Sequence, residues 1–198
     1  MTVAAENEQA VVVGHHAAHP DLRPFGLITF LVSEGMLFGG FFACYLMSRA
    51  GTLDWPPEGS ELELLLPTLN TLILISSSFV IHQADGAIAR DDIRATQKWL
   101  LLTFAMGAVF LAGQVYEYQH LAFGLTTSLF ASGFYVLTGF HGLHVAIGLA
   151  IIAGVLLRSR QPGAFLGGKH FGIFAASIYW HFVDVVWVVL FGIVYLLQ

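Results

Sequence analysis

Charge is scarce in this chain. Its 198 residues include 8 Lys or Arg and 13 Asp or Glu, so only 11% are charged, where soluble domains carry about 25%. That shortage excludes an ordinary soluble globular domain. The net charge of −5 offers no basic surface for a phosphate backbone, so no nucleic-acid partner is expected. Cysteine is almost missing: Cys44 is the single one, which excludes an internal disulfide, a CxxC pair and any cysteine-built redox or zinc site. Residues 1–22 lack a basic start followed by an apolar run, so no cleavable signal is expected there. The chain also shows no internal repeat and no low-complexity tract.

What it has in abundance is hydrophobic sequence, 57% of all residues. A hydrocarbon layer of ~30 Å takes about 20 helical residues to cross. Five runs reach that length, at about 25–48, 66–85, 98–118, 129–157 and 175–197. They predict an all-α fold, a polytopic membrane bundle of five transmembrane helices spanning 23–198 behind a polar tail at 1–22. Little sequence is left for a soluble domain.

The placement of the basic residues supports the helix count. Arg23 precedes the first run; Arg90, Arg94 and Lys98 lie between the second and third; Arg158, Arg160 and Lys169 lie between the fourth and fifth. Five crossings put these seven on one face and leave Arg49 alone on the other. Positive charge accumulates on the cytoplasmic side, so the N-terminus is expected in the cytoplasm and the C-terminus outside. The tail carries His15, His16 and His19. Without a second ligand group nearby, they read as part of a solvated segment rather than a metal site. In the first loop, Trp55-Pro56-Pro57 predicts a stiff extended turn at the outer surface. Small residues recur at spacing four in Gly35/Gly39, Ala108/Ala112 and Ala146/Ala150/Gly154, a pattern of close helix approach in lipid.

Ionisable side chains at membrane depth are costly, which makes them functional candidates. Glu34 lies about 14 Å along the first helix at 1.5 Å per residue, and its i±4 neighbours are Phe30 and Phe38. It must be neutralised, paired with another helix, hydrogen-bonded to water, or in contact with a lipid headgroup or proton path. His181 and Asp184 are three apart and share a helix face, so a hydrogen bond within the helix is expected. His82 with Asp85, and His141 with His144, repeat the spacing, while Gln114 and Glu117 close the third helix. Three readings compete. Histidines on transmembrane helices can hold a b-type haem, here His141, His144 and His181. A midplane ion site would make a small transporter, but broken helices and repeated halves are not visible. The third reading, an interhelical polar network with Glu34 open to lipid or proton traffic, fits the sequence best.

Several segments also carry a family likeness. SGFYVLTGFHGLHV from Ser132 to Val145 resembles a signature of the haem-copper oxidase subunit III family, and YWHFVDVVW from Tyr179 to Trp187 matches another. Leu69-Asn70-Thr71 with Ser76-Ser77-Ser78, Gln114 with Glu117 and Tyr118, and Ser33-Glu34 resemble further motifs in the same order, covering about 21–198. The likeness is greatest to the five-helix bacterial form, and to cyanobacterial members within it. It implies a non-catalytic core subunit of a proton-pumping terminal oxidase that reduces oxygen to water. Such a subunit has no catalytic residue, metal ligand or cofactor of its own; haems and copper belong to partner subunits. It also implies packing on subunit I in a complex with subunit II, bound phospholipid beside Glu34, support of proton uptake, and residence in a bacterial plasma membrane or a thylakoid membrane. One departure stands out. The family usually has glutamate where Phe174 lies in His170-Phe-Gly-Ile-Phe174, so a buried ion pair or hydrogen bond is expected to be lost there.

Overall fold

The computed structural model describes residues 21–60, 62–161, 165 and 170–197; His15, His16, His19 and Lys169 lie outside them. The described residues form five long helices and no strand: α1 (Arg23–Ala50), α2 (Leu65–Ile88), α3 (Ile93–His120), α4 (Leu129–Ser159) and α5 (Phe171–Phe191). A π-helical turn, Gly192–Leu196, continues α5. All five are long and apolar enough to cross a membrane.

The helices outrun the apolar runs because their ends are stabilised locally. Pro24 occupies the first turn of α1, where its missing N–H costs nothing. Asp92 caps α3 by accepting from the Ala95 N–H at 2.9 Å, and Ser128 caps α4 by accepting from Ala131 at 3.1 Å. Each cap satisfies one of the N–H groups that a helix start leaves unbonded. Hence α2 and α3 are separated by four residues only, 89–92, and much of the predicted second loop is helix.

The α2–α3 hairpin lies on one side of a central α4–α5 pair, and α1 packs on the other side against α4 and α5. Contacts at the helix ends bring the charged termini together. Arg23 lies over the Phe171 ring at 5.9 Å, His170 faces Asp91 at 4.0 Å, and Gln97 of α3 bonds to Ser159 of α4. At the opposite end Trp55 packs edge-on against Tyr45 at 5.2 Å and Phe130 at 5.4 Å. These ring contacts hold the loop against the bundle, and the Trp55–Pro56 peptide is cis.

The closest helix approaches are not those the spacing suggested. A Cβ at Gly39 or Gly154 would meet nothing within 4 Å, and one at Gly35 would meet only Phe182, at 3.8 Å. Close packing occurs instead where Trp180 of α5 enters the core between Gly107 of α3 and Gly148 of α4. A Cβ at Gly148 would come 2.9 Å from the indole, and one at Gly107 would overlap it. Gly133 likewise admits the Tyr45 ring, which would lie 2.8 Å from an added Cβ. In lipid, where apolar surface gains nothing by leaving hydrocarbon, such close contact supplies much of the association energy.

Candidate functional site: polar pairs across the helix interfaces

α5 presents a row of polar groups, and most of their partners are on α2. Starting from the charged end, the Ser177 hydroxyl donates to Asp85 Oδ2 at 2.6 Å. One turn deeper, the Trp180 indole N–H donates to Ser77 Oγ at 2.9 Å. Ser78 then serves two groups: its hydroxyl donates to Asp184 Oδ2, and its oxygen accepts from His181 Nδ1 at 3.1 Å. Further on, the Trp187 indole N–H donates to Thr71 Oγ1 at 2.9 Å. Near the far end, Glu117 of α3 accepts from Gln114 at 2.9 Å and from the Tyr195 hydroxyl at 3.2 Å.

This seam corrects the expected pairing within α5. His181 and Asp184 do share a face, but they meet through Ser78 of the neighbouring helix instead of bonding to each other. Likewise Asp85 takes its hydrogen bond from α5, while His82, on the same helix, is exposed. The hydroxyls of Thr71, Ser77 and Ser78 carry the α2 side of the seam. Thr71 and Ser78 are seven residues apart, two helical turns, which puts both on the face towards α5.

The histidines of α4 part company. His141 is wholly buried, with the Trp187 ring 4.8 Å and the Phe110 ring 5.8 Å from its own. Its surroundings are those of a core side chain. His144 instead reaches α1: its Nε2 lies 2.9 Å from Glu34 Oε2. Its Nδ1 lies 2.7 Å from the Phe140 carbonyl, an acceptor only, so that nitrogen carries a hydrogen. The Nε2–Oε2 contact therefore holds one further proton between imidazole and carboxylate, on one group or the other. Of the options open to Glu34, pairing with another helix is the one that the structure displays. The Glu34 side chain keeps 20% of its surface open, His144 9%. Among the described residues, no group of three or more His, Cys, Asp and Glu side chains is placed to hold a metal ion.

Phe174 is 44% exposed, beside Phe171 at 6.2 Å. Within this chain that position faces outward rather than into the bundle.

The fold and the site define a helical membrane bundle with polar pairs across its helix interfaces. The chain matches the family described as cytochrome c oxidase subunit III over residues 5–198. It is 58% identical over 188 residues to cytochrome c oxidase subunit 3 of Thermostichus vulcanus, covering 95% of this chain and 94% of that one. Against the subunit 3 of a Synechocystis strain it is 62% identical over 185 residues, covering 93% and 79%. A probable subunit 3 of Nocardia farcinica is 39% identical over 188 residues, covering 93% and 92%. The chain belongs to the cytochrome c oxidase subunit III family. It is an integral membrane, non-catalytic subunit of a haem-copper oxidase, and thus part of an oxidoreductase complex with other oxidase subunits.

Proposed function

We propose that this chain supports the oxidase from its lipid-facing side. It packs on subunit I, which with subunit II carries the haems and copper, and it holds phospholipid at the α1–α4 junction. The observation that carries the reading is the proton-sharing Glu34–His144 pair, 2.9 Å apart and partly open to the outside. A carboxylate at this depth is expensive without a partner, and a partly open pair can answer a headgroup amine or a mobile proton as well as its own histidine. Support of proton uptake follows from the same pair.

The seven-to-one distribution of basic residues favours a cytoplasmic N-terminus. The membrane is then a bacterial plasma membrane, or a thylakoid membrane as the cyanobacterial relatives suggest.

The test is Glu34→Ala in the assembled oxidase. Haem content should be unchanged, while phospholipid retained after detergent extraction falls or the enzyme inactivates faster during turnover. Unchanged lipid occupancy together with unchanged inactivation kinetics would refute the role.

A further inference from the structure

The charged end of the bundle bears a second polar surface, separate from the Glu34–His144 pair. Between the start of α3 and the end of α4 lies a cavity of about 460 Å³, with Arg94, Lys98 and Arg160 on its rim. Gln97 closes its back, donating to the Ser159 carbonyl at 3.2 Å and to the Ser159 hydroxyl at 2.9 Å. Leu101 of α3 and Leu156 of α4 form the wall on the membrane side, and Leu101 is 60% exposed.

Among the described residues, none of the three cations forms an ion pair. Arg94 and Lys98 are four residues apart on one helix, a spacing at which like charges destabilise. The nearby Asp92 side chain is already engaged by the Ala95 N–H. An anion between the three would relieve the repulsion, and the start of α3 adds the positive end of its helix dipole. A soluble anion, however, would use the rim alone and leave the leucine wall without purpose.

We propose that this groove is a site for an anionic phospholipid. Its phosphodiester lies between Arg94, Lys98 and Arg160, and an acyl chain runs along Leu101 and Leu156. Basic clusters at the ends of transmembrane helices attract acidic headgroups by about 1 kcal/mol per charge, which corresponds to roughly fivefold in affinity for each.

The test uses the purified oxidase, stripped of loosely held lipid and titrated with spin-labelled phosphatidylglycerol in phosphatidylcholine nanodiscs. Replacing Arg94, Lys98 and Arg160 by Gln should remove one immobilised label per chain and weaken its binding roughly 100-fold. Arg49→Gln, at the opposite end, should change nothing. Labelled phosphatidylcholine should not distinguish wild type from the triple variant, and inorganic phosphate at tenfold excess over lipid should not displace the phosphatidylglycerol. Should the triple variant fail to assemble, Arg160→Gln must still lose about fivefold while Arg160→Lys binds as wild type. Equal retention in wild type and the Gln variants would overturn the proposal. Displacement by inorganic phosphate would overturn it too, marking a simple anion site instead.

Discussion

His144 of α4 and Glu34 of α1 are joined Nε2 to Oε2 at 2.9 Å, a polar link that ties α1 to the bundle. α1 has two buried residues, Phe38 and Tyr45, and Phe38 packs edge-on against the same histidine at 5.0 Å. Loss of the link should therefore loosen α1 more than it disturbs the other helices. A double-mutant cycle with Glu34→Gln and His144→Phe isolates the pair, provided neither change makes new contacts. Interhelical hydrogen bonds in membranes average about 0.6 kcal/mol and reach about 1.7, and a proton-sharing pair belongs at the upper end. Unfolding in mixed micelles should give a coupling of about 1–1.7 kcal/mol; a coupling near zero would show that packing alone holds α1.

Ser78 is the second place where one small side chain carries two larger ones. Ser78→Ala strands Asp184 and His181 together, and a buried polar group left unsatisfied costs about 1–3 kcal/mol. Ser76, two residues away, is exposed and donates only to the Leu72 carbonyl of its own helix, at 2.7 Å. Ser76→Ala should therefore stay within about 0.5 kcal/mol of wild type. Thermal denaturation in a mild detergent compares the two. Equal losses would mean that the bridge contributes nothing, whatever its geometry.

The helix count was legible because hydrophobic length answers to bilayer thickness, and no tertiary knowledge is needed for that. Polar candidates were equally visible, since Glu34, Asp85, Glu117, His141, His144, His181 and Asp184 interrupt apolar runs. Their partners were another matter. A spacing of three shows that two side chains share a face, as with His181 and Asp184, but not what the facing helix offers them. Whether Ser78 comes into reach depends on how α2 and α5 are registered, and no local pattern encodes that register. The same holds for the glycines. Spacing four marks Gly35/Gly39 and the Ala146–Gly154 ridge, yet Gly39 and Gly154 have nothing within 4 Å. Gly107 and Gly148, isolated in sequence, admit Trp180. A hint was present in the abundance of aromatics, 14% of the chain, because buried indoles need both space and a hydrogen-bond acceptor.

At the far end of the bundle, Trp55 should anchor the acidic first loop. Its ring meets Tyr45 and Phe130 edge-on, contacts worth about 0.5–1.5 kcal/mol each beyond the area buried. Trp55→Ala should expose residues 51–60 to limited proteolysis while leaving the helices protected. Cleavage no faster than in wild type would show that the loop is held by other means.

The last expectation concerns Trp180, whose indole is bounded by Gly107 on α3 and Gly148 on α4 and donates to Ser77 on α2. Three helices thus take their spacing from one side chain of a fourth. Gly148→Ala places a methyl 2.9 Å from the ring, with the Tyr179 ring 3.3 Å away, so neither indole nor phenol can yield freely. Overpacking of this kind costs about 1–3 kcal/mol. Gly154→Ala, six residues further along α4 with open space around it, should be neutral or slightly stabilising through helix propensity. The two alanines separate steric fit from backbone effects, since both replace a helical glycine on the same element. Gly148→Ala should lower stability in detergent and move the emission maximum of the tryptophans, whereas Gly154→Ala should do neither. If Gly148→Ala behaves like Gly154→Ala, then Trp180 does not set the distance between α4 and α5, and the core must be ordered by the hydrogen bonds of the α2–α5 seam instead.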